Sequence, residues 1–261
     1  MKLIEIAGRH KDEEQSPGHK VDLLTQSEKA KSSEQTIQFI RNKLNTDCKE
    51  ILAIYKKLNP DIESIPSTDK LKVMWRGEGT EARFFKNSIW TKRKPLWMDA
   101  VAHEAYQVAS KNLGLMADRE NAIFCGRENA ASDWGRGLYI IFPVDGYEVT
   151  WFEKSLGLYM FDEISQSLLA FADDYATEKD IYYQEAMLKL SKKYSKFDQA
   201  VFDQYVKKVE QLIKSSHPRN GDLSDALTNP KVTEYLVTGN AYYGLSSEML
   251  ARSKLLKTIL S

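Results

Sequence analysis

The chain reads as an α+β protein whose sheet is interrupted by a block of helices. Three observations predict this. Strand-like segments recur between residues 71 and 152. Between 163 and 221 the apolar residues fall at helical spacing instead. Two more strand-like runs, Val232–Thr238 and Ala241–Leu245, then follow. A lone pair of strands is marginal in water, so an existing sheet has to receive them. That favours a helical insertion over an α+β domain followed by an independent helical domain.

Taken in order, residues 1–36 are rich in Lys, Glu, Ser, Gln and His, with few apolar anchors, and read as a loosely attached arm. In 37–66, Ile37, Ile40, Leu44, Ile51 and Tyr55 lie close to a helical period, which predicts a helix or helix pair stopped by Asn59-Pro60. Residues 67–245 form the main domain. Leu71–Trp75 and Phe84-Phe85 are strand pieces. A basic loop with two tryptophans follows, Trp90–Trp97, and then an amphipathic helix over Met98–Leu113. Asn121–Cys125 is a short strand, Glu128–Trp134 a short helix, and Leu138–Phe142 a buried strand ended by Pro143. Tyr147–Phe152 alternates and is expected to pair with that strand across the Asp145-Gly146 turn. Helices are expected at Ile164–Tyr175, Lys179–Tyr194 and Asp198–Lys214, with a break at His217-Pro218-Arg219-Asn220-Gly221. Gly239-Asn240 then turns the chain back on itself between the last two strands. A helix over 246–261 closes it.

The bulk composition excludes more than it assigns. The 261 residues suit one large domain or two small ones. Thirty-seven basic and 37 acidic residues cancel, so no global field favours nucleic acid or an acidic membrane. Cys48 and Cys125 form neither a metal spacing nor a disulfide framework, which suits a reducing cytoplasm. No apolar run is long enough to span a bilayer, and the first residues lack the apolar stretch of a secretory signal. His10, His19, His103 and His217 are scattered, and His103-Glu104 has no second histidine at zinc-protease spacing, so no metal is expected. There is no Gly-x-Ser-x-Gly elbow and no glycine-rich phosphate loop. Asp173-Asp174 reads as the exposed face of its helix.

Three segments carry the chemistry. In Leu71–Gly77 a strand leads into Arg76-Gly77, a permanent cation with a planar donor fork beside a residue that lets a ligand approach the backbone. Read plainly, these are an exposed arginine and a turn glycine. In Asn121–Pro143 a strand ends at Cys125-Gly126, a short helix bears Trp134, and an aromatic strand bears Tyr139. In Pro230–Leu245 the strand holds one acid, Glu234, near its start. Its plain reading is a solvent-facing glutamate on an edge strand.

The order and contents of these segments resemble the three core motifs of ADP-ribosyltransferases, and Arg93-Lys94-Pro95 with Ile141-Phe142-Pro143 is similar to members from bacteriophages. The resemblance spans residues 71–245 with 163–221 as an insertion. It implies a split mixed or antiparallel sheet and cleavage of NAD at the nicotinamide–ribose bond, with transfer of ADP-ribose to a macromolecule, a protein ahead of a nucleic acid, belonging to the host if the chain is phage-encoded. NAD would be the co-substrate, with no metal and no membrane. Glu234 and Arg76 would be catalytic. Arg76, Gly77, Cys125, Gly126, Trp134 and Tyr139 would bind NAD, with Arg76 on the phosphate side, the Gly77 backbone on the carboxamide and Tyr139 with Trp134 over the nicotinamide ring. Two departures matter. Cys125-Gly126 stands where the family commonly has hydroxyl residues, and Val232 stands where arginine-modifying members carry a second Glu. The alternative is a non-catalytic binding or structural protein on a transferase-like sheet.

Overall fold

A computed structural model of the chain describes residues 21–24, 33–62, 70–89, 99–118, 120–131, 135, 137–153, 158–232, 234–252 and 255–260. Among these the strands are β1 (Val21–Asp22), β2 (Trp75–Glu78), β3 (Phe84–Ser88), β4 (Ala122–Gly126), β5 (Gly137–Pro143), β6 (Glu148–Phe152), β7 (Pro218–Asn220), β8 (Glu234–Thr238) and β9 (Ala241–Ser246). The helices are α1 (Ser33–Asp47), α2 (Lys49–Leu58), α3 (Ala100–Asn112), α4 (Glu128–Ala131), α5 (Leu158–Lys179), α6 (Tyr183–Leu190), α7 (Gln199–Ser215), α8 (Leu223–Thr228), α9 (Ser247–Arg252) and α10 (Leu255–Leu260). The protein is α+β, and the chain divides into two compact units. One takes the chain up to Ser88, then Arg127–Val144, then Ala241 onward; the other takes Ile89–Gly126 and Asp145–Asn240.

In the first unit the strand order is β1-β3-β9-β5-β2, with antiparallel pairing. β9 lies between β3 and β5, and Gly244 faces Phe85 on one side and Ile141 on the other. A Cβ at Gly244 would stand 2.4 Å from two carbons of the Phe85 ring, so only glycine fits beneath it. The apolar residues of α1 and α2 (Ile40, Leu44, Ile51, Leu52 and Tyr55) are buried, as their helical spacing predicts. The Tyr55 hydroxyl donates to Ile141 O at 2.8 Å and accepts from Met74 N at 3.0 Å, which ties α2 to the sheet and to the segment leading into β2. The predicted arm is anchored where it is described: Val21 and Asp22 pair with Lys86 and Phe85 as an edge strand, and Leu24 is buried.

In the second unit the order is β4-β8-β6-β7, again antiparallel. Its core joins Ala122, Phe152 and Leu236 of the strands to α3 (Val101, Ala105), α5 (Ile164, Leu168, Ala172) and α7 (Phe202, Tyr205, Val209). Burial of each large apolar side chain here contributes about 1.5–3 kcal/mol of transfer free energy. The helices of the expected insertion are therefore built into this unit's core, and no independent helical domain exists among the described residues. α3 and α7 are each capped by an aspartate: Asp99 accepts from Val101 N at 2.7 Å and Asp198 from Ala200 N at 3.0 Å.

Several local expectations need correction. The strand expected at Leu71–Trp75 is β2, Trp75–Glu78, so Arg76-Gly77 lies within it. Cys48 separates α1 from α2. The expected break at His217–Gly221 contains β7, which pairs with β6. β5 and β6 are not a hairpin, because β5 pairs with β2 and β9 while β6 pairs with β7 and β8. β8 and β9 likewise do not pair: β8 joins β4 and β6, and β9 joins β3 and β5. Both predicted turns are real bends, with Gly146 at φ 83° and Gly239 at φ 150°. Each marks a place where the chain leaves one unit for the other.

Candidate functional site

Glu234 opens β8, where the antiparallel register sets it opposite Gly126 on β4 and Phe152 on β6. β8 is an interior strand of its unit, and Glu234 is only 2% exposed. The plain reading of a solvent-facing glutamate on an edge strand is thus overturned. A carboxylate is rarely buried this deeply without pairing or a task to perform. Gly126 brings no side chain to the position across from it. Cys125, opposite Tyr235, is fully buried. Val232 is buried as well, just before the strand, with its N–H on Asn229 O at 3.1 Å.

Arg76 and Gly77 lie in β2 of the other unit, opposite Tyr139 and Leu138 of β5. Arg76 is 9% exposed and Gly77 is buried within the strand, so neither the exposed arginine nor the turn glycine of the plain reading holds. The two strands of the middle segment therefore register with the two flanking motifs separately: β5 with the Arg76 strand and β4 with the Glu234 strand.

Sequence reasoning missed what surrounds Arg76. Residues two apart on a strand share a face, and Arg76 Nε donates to Glu78 Oε1 at 2.5 Å. The Tyr242 hydroxyl donates to the same oxygen at 2.6 Å and accepts from Asn87 Nδ2 at 3.1 Å. Glu78 is 2% exposed, Tyr242 1% and Asn87 9%. The donors run in one direction, because a carboxylate only accepts, which leaves the phenol oxygen to take the amide N–H. Burial first, and the Glu78 charge second, push the Tyr242 phenol far above its usual range, so it stays protonated and donates. The signal that could have found this network is the Arg-x-Glu spacing inside a strand.

Tyr139 is buried, and its hydroxyl donates to Thr80 O at 2.7 Å. Desolvation, followed by the nearby Glu78 charge, pushes its phenol up to about 12. Its ring meets the Phe85 ring edge-on at 5.2 Å. At Gly135 a Cβ would stand 2.5 Å from Glu78 N and 2.7 Å from Gly77 C, so the chain after α4 runs directly against the backbone of β2. Trp134, the 90–97 loop and Arg93-Lys94-Pro95 lie outside the described residues. Asp173 and Asp174 are exposed. Among the described residues no group of three or more His, Cys, Asp or Glu side chains is disposed to hold a metal ion, and no helix is long and apolar enough to cross a membrane. No protein family, curated protein or solved structure matches this chain.

Proposed function

We propose that the protein is an NAD-dependent ADP-ribosyltransferase of the split-sheet type, similar to those of bacteriophages, acting on a macromolecular acceptor. The observation that carries the reading is the setting of Glu234: a deeply buried carboxylate at the head of an interior strand, facing a glycine. The order of the three motifs, and the pairing of the middle one with both others, support it.

Under this reading Glu234 is the catalytic carboxylate. It accepts a hydrogen bond from a ribose 2′-hydroxyl and offsets the positive charge that grows on the sugar as the bond to nicotinamide breaks. Fixed electrostatics of this kind is commonly the largest catalytic contribution. A nucleophilic group of the acceptor then bonds to the ribose carbon that nicotinamide has left. Arg76 and Gly77 contribute to holding NAD, with Tyr139 and Gly126. Val232 offers no second acid to activate an arginine acceptor, so the acceptor side chain is of another kind.

The test is thermal melting with NAD, followed by incubation with labelled NAD in a cell lysate. A ligand at ~100 times its dissociation constant stabilises by ~2.7 kcal/mol. A raised Tm and label on a macromolecule support the transferase. The competing reading is a partner-binding protein without turnover, which the fully buried Cys125, standing where the family commonly has a hydroxyl, favours. Melting unmoved by millimolar NAD decides for it.

A further inference from the structure

We propose that the turn between α6 and α7, together with the solvent face of α7, is a docking surface for single-stranded nucleic acid. None of its residues is assigned to NAD, so it stands apart from that reading.

The charges of the chain cancel overall but not along this stretch. From Asp162 to Glu185, seven acids accompany one lysine; from Lys189 to Lys214, seven lysines accompany three acids. Each of those three acids already accepts a hydrogen bond: Asp198 from Ala200 N at 3.0 Å, Asp203 from Gln199 Nε2 at 2.7 Å and Glu210 from Asn112 Nδ2 at 2.8 Å. Lys192 pairs with Glu104 at 2.6 Å, and Lys208 lies 4.0 Å from Asp174. Lys193, Lys196, Lys207 and Lys214 are exposed and have no ion-pair partner among the described residues.

Solvated lysines alone identify no ligand, but here two of them flank an aromatic ring that the turn holds out in water. Tyr194 N donates to Ser191 O and Phe197 N to Tyr194 O, each at 3.1 Å, and Asp198 N closes the turn on Lys189 O at 2.8 Å. Phe197 packs against Phe202, and the Lys192 ammonium lies over both rings. Tyr194, by contrast, is 47% exposed between Lys193 and Lys196. Tyr182, which leads into α6, is 82% exposed and offers a second ring face. Any base stacks on such a ring while neighbouring cations meet the phosphates. On α7, Lys207 and Lys214 share an exposed stripe with Gln204 and Gln211. The two lysines are one heptad, or roughly 10 Å, apart along the axis, about three phosphate steps of a stacked strand. An acidic peptide would satisfy the lysines and leave the ring unused, and a duplex hides its base faces. A single strand uses both.

The probe is fluorescein-labelled single-stranded oligothymidylate, titrated with the full-length chain and read by fluorescence anisotropy. Binding is expected, and the logarithm of the association constant should fall against log[salt] with a slope of about −2.8, from four lysine–phosphate contacts at ~0.7 each. Lys193→Gln combined with Lys196→Gln should weaken binding and bring the slope to about −1.4. Tyr194→Ala should weaken binding about tenfold at unchanged slope, and Tyr194→Phe, which keeps the ring, should bind as the wild type does. All these positions are exposed, so each variant is expected to keep the wild-type Tm. No binding at low salt, a slope unmoved by the lysine pair, or wild-type affinity in Tyr194→Ala overturns the proposal. Polyglutamate or phosphatidylserine vesicles that displace the labelled strand at lower charge concentration than the unlabelled strand does also overturn it, and make the surface a dock for an acidic protein or a membrane.

Discussion

Glu234 and Gly126 are direct partners across β8 and β4. The pairing sets a buried carboxylate opposite a position with no side chain. If that carboxylate serves catalysis, Glu234→Gln keeps the size and shape of the side chain and removes only the charge. The variant is expected to fold, to keep the NAD-induced rise in Tm, and to release nicotinamide about 10²–10³-fold more slowly. Release at the wild-type rate would remove Glu234 from the chemistry.

Tyr55→Phe isolates the bridge between α2 and the sheet. The substitution leaves Ile141 O and Met74 N, both bonded to the phenol, without it in a buried setting. Each unsatisfied buried group costs about 1–3 kcal/mol, so chemical denaturation should show a loss of roughly 2–6 kcal/mol. An unchanged midpoint would mean that water replaces the hydroxyl.

Gly244→Ala places a methyl group against the Phe85 ring. That ring is itself held by Tyr139 at 5.2 Å and Tyr242 at 5.9 Å, so it has no simple way to swing aside. Overpacking of this kind costs about 1–3 kcal/mol. Adding Phe85→Leu should recover part of the loss, a coupling that a double-mutant cycle reads directly. Additive losses would contradict the steric account.

Acid sensitivity should pass through Asp47. The Tyr243 hydroxyl donates to it, and this bond, with Lys86 at 3.3 Å adding to it, holds the carboxyl below its ordinary value of 3.8 despite an opposing desolvation effect. A carboxyl with a depressed folded-state pKa contributes stability above the unfolded value and loses it as pH falls through the folded one. Tyr243→Phe removes the largest cause. The variant should be about 1 kcal/mol less stable at neutral pH. Its deficit should shrink as pH falls from 3.8 through the lower folded-state value, below which Asp47 is protonated in both states. A gap that stays constant through acid titration would assign the loss to packing against Phe84 instead.

The fold class was legible because period and composition are local. Five residues of α7 (Phe202, Tyr205, Val206, Val209 and Ile213) show their buried face in the sequence alone, and the aromatic run of β5 shows its burial. Strand partners were not legible. Asp145-Gly146 and Gly239-Asn240 satisfy local turn chemistry, yet the strands they join go to different neighbours, because pairing is decided by distant segments. β7 was hidden by Pro218, which at the head of an edge strand costs no ladder hydrogen bond. Arg76 and Glu234 could be singled out by motif order. Glu78 is within reach of the Arg-x-Glu spacing, but Tyr242 and Asn87 are not, since their bonds to Glu78 and to each other span 164 and 155 positions of chain and exist only once β2, β3 and β9 share a sheet.

The place of β9 has a consequence for synthesis. It is the shared neighbour of β3 and β5, yet its residues are translated after the whole of Asp145–Asn240. Until Ala241–Ser246 leave the ribosome, two aromatic strands wait with bare edges, and the nascent polypeptide has to be shielded from aggregation through most of its elongation.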